Sequence, residues 1–252
     1  WRNPLTSVEP TAVVPPRLNL RLNVSLIAGV FARAGRVHVP DALSHESARA
    51  LHRCLSTEIP WRRHYNRGQE HFDVLPSEQA VMSKYTLDDL RRSVMIDARY
   101  NFACFYKSFR DSDLTSDSAF GKLYFAQLCA FLNSPEFIDF ARRVTGVGEI
   151  SLVDAQATLY EAGDFLTVHD DDVAGKNRVA AYVLGLTPKW CADWGGVLQF
   201  IAGDGHVAEG YVPTFNSLNI LRVPQAHSVS MVAPFTPVGR YSVTGWFRTS
   251  SA

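Results

Sequence analysis

The 252-residue chain carries no excess charge: 25 Lys and Arg balance 25 Asp and Glu. That balance argues against a dedicated binder of nucleic acid or anionic membrane, while leaving a local basic patch open. No run of about 18 apolar residues occurs, so no membrane span is expected. The longest apolar patch near the start, 24–34, is interrupted by Ser25 and Gly29 and lacks the layout of a signal peptide. Cysteine is sparse. Cys54, Cys104, Cys129 and Cys191 form no CxxC and show no zinc-knuckle spacing with histidine. They read as reduced, mostly buried thiols, and a cytoplasmic location is expected. Repeats and low-complexity tracts are absent. The chain opens on Trp1 rather than methionine, so the expectation is a trimmed sequence whose true start and any upstream signal lie outside it. What remains is ordinary globular composition, 46% apolar and 20% charged. A chain this long buries a large core without disulfides or structural metal.

Residues 1–18 hold Pro4, Pro10, Pro15 and Pro16 and read as an extended arm. Val24–Ala34 is a short helix broken by Gly35, and Arg36–Val39 is a short strand before Pro40. A helix is expected from Asp41, with Leu43, Ala48, Leu51 and Leu55 on one face and Pro60 as its stop. Residues 61–86, with Trp61, Arg62, Arg63, His64, Tyr65, Arg67 and His71, read as exposed and irregular. Thr86 and Asp89 resemble a capping box for a helix from Leu87. Phe120–Leu132 and Pro135–Val144 look helical, and helices are expected to dominate the first 145 residues.

The texture changes after Gly148. Short segments rich in Val, Leu, Tyr and Phe follow at intervals of roughly ten: 150–160, 179–186, 196–201, 207–213, 217–223, 228–232 and 240–247. This is the pattern of an antiparallel sandwich or barrel. The division is therefore an arm over 1–18, a helical part over 19–148 bracing the barrel, and a barrel core over 149–252, forming one integrated domain.

The stretch Tyr160-Glu-Ala-Gly-Asp-Phe-Leu-Thr-Val-His169-Asp-Asp171 carries the chemistry. On a strand, His169 and Asp171 share a face and Asp170 points away. His227 is the candidate third ligand. Two histidines and one carboxylate on one face of a metal make the facial triad of non-haem Fe(II) oxygenases. Taken singly, His169 reads as a partnered surface or core histidine and His227 as a turn histidine capping a strand. Further on, Arg240 and Ser242 share a strand face, and a guanidinium with a hydroxyl deep in a barrel suits a carboxylate. A buried Arg needs such a partner.

The region 152–247 resembles the Fe(II)/2-oxoglutarate-dependent dioxygenases, in their prolyl-4-hydroxylase-like branch. The resemblance rests on His169-x-Asp171, the segment opening at Arg178, Trp190, Trp194-Gly195-Gly196, Asn216, His227-Ser-Val and Arg240-x-Ser242-x-x-Gly245-Trp246. It implies a double-stranded β-helix (jelly-roll, cupin-like) core with helices packed outside. It also implies Fe(II) held by His169, Asp171 and His227, and 2-oxoglutarate held by Arg240 with Ser242 assisting. Tyr160 matches in type a family tyrosine facing the 2-oxoglutarate pocket, and reads equally as barrel wall. The implied reaction consumes O2 and 2-oxoglutarate, releases succinate and CO2, and hydroxylates an unactivated C–H. Because Asp171 is present, hydroxylation is favoured over halogenation. Ascorbate is expected to support activity.

The substrate stays open among a prolyl or other residue of a protein or peptide, a free amino acid and a small metabolite. So does the oligomeric state. The basic, aromatic segment 61–71 reads either as a solvated loop or as a lid over the barrel mouth. The alternative to an enzyme is a non-catalytic cupin-like module that binds metal or 2-oxoglutarate.

Overall fold

The computed structural model describes residues 14–115 and 117–250. The arm expected over 1–18 thus lies largely outside the described residues. Leu18 makes a single antiparallel bridge with Leu43.

Helix α1 spans Val24–Ala34. Asn23 caps it by accepting a hydrogen bond from the Leu26 N–H, and Gly35 ends it in the left-handed conformation at φ 69°. Strand β1 follows at Arg36–Val39. The next helix, α2, spans His45–Thr57 rather than starting at Asp41. Two local facts explain the shift. Leu43 is held in its bridge to Leu18, and the Ser44 side chain accepts from Ser47 N–H, so the cap lies at Ser44.

The segment expected to be irregular forms a hairpin, β2 at Arg62–Arg67 and β3 at Glu70–Val74, followed by the short helix α3 at Pro76–Val81. Helix α4 runs over Lys84–Asp97 with Ser83 as its cap, not from Leu87. Strand β4 at Cys104–Arg110 is a further addition. Helices α5 (Tyr124–Leu132) and α6 (Pro135–Thr145) close the first part, with Gly146 capping α6.

Nine strands follow: β5 (Ile150–Val153), β6 (Gln156–Tyr160), β7 (Phe165–His169), β8 (Arg178–Gly185), β9 (Leu198–Ile201), β10 (Val207–Tyr211), β11 (Ser217–Arg222), β12 (His227–Val229) and β13 (Arg240–Thr249). They pair in the order β1-β11-β8-β13-β6-β4-β7-β12-β9-β10, with β2–β3 attached to β4 and β5 to β13. Every named strand pairing is antiparallel. The end strands β1 and β10 meet through side chains: Arg36 pairs with Glu209, and the His38 and Tyr211 rings lie 5.3 Å apart. The result is a nearly closed jelly roll. The first part of the chain is less helical than expected, because β1 and β4 are members of the barrel sheet itself.

Period-two alternation sorts the side chains of β8. Ala180, Tyr182 and Leu184 join Leu51, Leu128 and Phe137 of α2, α5 and α6 in the main core, while Ala181 and Val183 face inward with Leu198, Phe200 and Leu221. Helix α4 lays Leu90 and Val94 over Phe105 and Phe165 at the other end. No helix of the described residues is long and apolar enough to cross a membrane.

Candidate metal centre

His169 ends β7 and His227 opens β12, and the two are direct cross-strand partners. Their ring centroids lie 4.1 Å apart. Asp171 reaches the pair by a different route from the one expected. The strand stops at His169, and Asp171 adopts φ 65°, a left-handed turn that aspartate tolerates better than most residues. This kink brings Asp171 Oδ1 to 3.6 Å from His169 Nε2 and Oδ2 to 3.4 Å from His227 Nε2. Asp170 is exposed and accepts from Asp172 N–H.

The tautomers are set by backbone carbonyls. His169 Nδ1 lies 3.0 Å from Thr167 O and His227 Nδ1 lies 2.7 Å from Gln225 O. A carbonyl only accepts, so each Nδ1 carries the proton and each Nε2 presents a lone pair toward Asp171. Burial, with His169 alongside, lowers the pKa of His227, which favours its neutral, ligating form.

Arg178 supports the third member. Its Nη1 donates to Asp171 O at 3.0 Å, and its guanidinium stacks 3.6 Å over the Trp246 ring. Among the described residues Arg178 is a contributor that motif reading had quoted without giving it a role.

Arg240 and Ser242 start β13 opposite Tyr160 and Thr158 of β6. Arg240 is only 4% exposed, and among the described residues it pairs with no carboxylate. Its Nη1 donates to Ser242 Oγ at 3.3 Å, and its buried Nε has no partner. Burial lowers its pKa from the ordinary guanidinium value, and Tyr160 partly opposes that. Ser242 Oγ in turn shares a 2.7 Å hydrogen bond with Thr158 Oγ1. Thr158 was not anticipated, yet its spacing from Tyr160 already put it on the same strand face. Gly196 makes room: a Cβ there, at φ 62°, would lie 3.0 Å from Arg240 Cδ and 3.2 Å from the Trp190 ring.

His169, Asp171 and His227 line one cavity of about 840 Å³ together with Tyr160, Thr158 and Arg240. His64 and His71 of the β2–β3 hairpin line it too, so the segment left open between a solvated loop and a lid forms part of its wall.

Residues 155–248 match the 2OG-Fe(II) oxygenase superfamily. Over those residues the chain is similar to the 2OG-Fe(II) oxygenases. A relative is mouse prolyl 3-hydroxylase OGFOD1, 28% identical over 180 residues that cover 66% of this chain and 31% of that protein. The chain thus spans less than a third of that curated relative. The fold resembles a Pseudomonas putida prolyl-4-hydroxylase (TM-score 0.58, 17% identity, 90% of this chain and 100% of that one). It also resembles a Trichoplax adhaerens prolyl hydroxylase solved with a hypoxia inducible factor oxygen degradation domain peptide (TM-score 0.59, 14% identity, 90% of this chain and 89% of that one).

The side chains gathered here fit the cofactors of such an oxygenase. Two imidazole nitrogens and a carboxylate suit Fe(II), and their clustering within 4.8 Å is the size of a first coordination sphere. A buried, uncompensated guanidinium with an orphaned Nε fits a dicarboxylate such as 2-oxoglutarate.

Proposed function

We propose that the protein hydroxylates a prolyl residue of a peptide or protein, using Fe(II), O2 and 2-oxoglutarate. His169, Asp171 and His227 would hold the metal, and Arg240, assisted by Ser242 and flanked by Tyr160, would hold the far carboxylate of 2-oxoglutarate. Bound together, the metal and cosubstrate supply the oxidising power for an unactivated C–H.

The chain's own residues do the rest. Thr167 and Gln225 carbonyls fix the ligating tautomers. Arg178 holds the Asp171 turn in place. The Thr158–Ser242 pair orients the Arg240 guanidinium from below. Trp190, Val229 and Val232 keep water from that end of the barrel, so the carboxylate contact forms in a desolvated pocket.

The observation that carries this reading is the joint one: a His–Asp–His cluster and an unpaired buried arginine share one cavity. The relatives' names support a prolyl substrate. Residues 19–148 and 149–252 are read as one integrated domain. A cytoplasmic site is consistent with four free thiols. Ascorbate would serve as a supporting reductant.

The test is turnover of proline-containing peptides with Fe(II), ascorbate and 2-oxoglutarate. The reading requires succinate to rise with added peptide and a prolyl residue to gain one oxygen atom by mass spectrometry. Succinate that never rises above its peptide-free level would instead favour a binding module.

A further inference from the structure

A second group of metal-binding side chains sits on another wall of the same cavity. His64 comes from β2, His71 from β3 and Cys104 from β4. One ring nitrogen of each histidine and the Cys104 Sγ all lie within 4.8 Å of one another. The histidine rings stack, 5.4 Å apart and inclined by 7°. All three residues line the cavity, so an ion can reach them.

We propose that His64, His71 and Cys104 form a second cation site, taking Zn(II) or a similarly borderline-soft divalent ion, with its remaining position open to the cavity. The donor set differs from the other cluster in its sulfur. Thiolate with imidazole selects Zn(II)-like ions, whereas imidazole with carboxylate suits Fe(II). The site does not use the oxygenase triad and stands without the functional reading above. Phe102 separates the two, its ring 6.2 Å from His71 and 5.8 Å from His169.

The surroundings are those of a supported ligand. Asp73 Oδ1 lies 2.7 Å from His64 Nδ1, a shorter contact than the 3.2 Å approach of Arg110 Nη2 to the same nitrogen. The carboxylate bond therefore sets Nδ1–H and leaves Nε2 to ligate, the usual carboxylate–histidine–metal arrangement. Arg110 spends its charge on Asp73, at 2.6 Å and 3.3 Å, so the guanidinium does not stand as a free cation beside the ion. Burial lowers the pKa of His71, with His64 and Arg110 adding to it, which keeps the ring neutral. Burial pushes the Cys104 thiol up to about 12, so ion binding releases its proton to solvent.

The probe is Co(II), titrated anaerobically into the whole chain. A sulfur-to-Co(II) charge-transfer band reports Cys104 coordination and cannot arise from His169, Asp171 and His227. We expect the band in the parent and in His169→Ala, and its loss in Cys104→Ser. His71 is exposed, so His71→Ala, which leaves the buried core untouched, provides a second measurement. Zn(II) stoichiometry should fall by one per chain in that variant, with unchanged circular dichroism. A parent without the sulfur band, a band that survives Cys104→Ser, or equal Zn(II) stoichiometry in parent and His71→Ala would each overturn the site.

Discussion

Arg240 stands directly opposite Tyr160 across the β6–β13 pair, its guanidinium 5.1 Å above the phenol ring. The ring offers the charge a polarisable face but no negative partner. A ligand carboxylate would complete the pocket. Arg240→Ala should therefore weaken 2-oxoglutarate binding by about 30-fold or more, the loss expected for about 2–5 kcal/mol of a desolvated charge-assisted contact. Arg240→Lys should recover only part, because a point charge cannot make the fork contact. Ser242→Ala and Thr158→Ala should give smaller defects of the same kind. Anaerobic titration of the Fe(II) protein, following the metal-to-ligand charge-transfer band, reads each value. Unchanged 2-oxoglutarate affinity in Arg240→Ala would remove the cosubstrate assignment.

The triad is tested one residue at a time. His169→Ala, Asp171→Ala and His227→Ala should each cut Fe(II) binding and abolish turnover, because a facial site has only three protein ligands. Asp170→Ala should be far milder, since its carboxylate is exposed and bonds only to Asp172 N–H among the contacts seen. Equilibrium dialysis against Fe(II) separates loss of metal from loss of chemistry. An inactive Asp170→Ala beside an active Asp171→Ala would reassign the carboxylate ligand.

Arg178 is a positioning residue. It donates to the Asp171 carbonyl and lies over Trp246, so its loss frees a left-handed turn rather than a ligand. Arg178→Gln should weaken Fe(II) binding by about 10–100-fold, the range for groups that orient metal ligands. Arg178→Lys keeps a donor and loses the planar stack, and should fall between the two. Metal affinity unchanged in Arg178→Gln would reduce the residue to a packing role.

Much of this was legible in residue patterns, and the failures have physical causes. Helix α1 and strand β1 have the bounds expected from the sequence, because Gly35 and Pro40 punctuate them locally. The β2 strand, Arg-Arg-His-Tyr-Asn-Arg, looked like a solvated loop because its charges are satisfied at long range. Arg63 is buried against Asp164 at 2.7 Å and Glu161 at 2.9 Å, a hundred positions downstream. No local pattern shows that pairing. His169 and Asp171 lie together, though not on the strand face expected of them, because the chain makes a left-handed turn at Asp171. Thr158 was available from strand alternation alone, and went unnoticed because it carries no charge.

The sheet order bears on the integrity of the domain. Strand β4, at 104–110, lies between β6 and β7, and β1 covers the edge of β11. A 149–252 fragment would leave those edges unpaired and expose the helix-covered face of β8 and β13. It should be insoluble or lack cooperative thermal unfolding. A soluble fragment with a sharp transition and near-ultraviolet circular dichroism would show that the barrel stands without the first part of the chain.

The last prediction concerns acid stability and Asp73. Its carboxyl is half-buried, which alone would raise its pKa, but the hydrogen bonds from His64 and Arg110 outweigh burial and hold it well below the usual carboxylate range. A folded pKa below the unfolded value of about 3.9 means that the folded state binds the proton less readily. The stabilisation is then fully present above about pH 4 and is lost as the pH falls toward the folded value. Asp73→Asn cannot ionise, so it should lower stability near neutrality by about 1–3 kcal/mol, the usual worth of hydrogen bonds to a charged group. The difference from the parent should shrink as the pH drops below about 4. The other titratable groups facing Asp73 are His64, His71, Cys104, Tyr106 and Arg110. Protonation of His71, whose pKa burial lowers, opposes folding below about pH 6.5, and does so more in the variant, which lacks the Asp73 charge that favours the protonated ring. Urea unfolding of metal-free parent and Asp73→Asn at a series of pH values measures the difference directly. A gap that stays constant from pH 7 to pH 3 would mean that the Asp73 contacts act through packing and not through its charge.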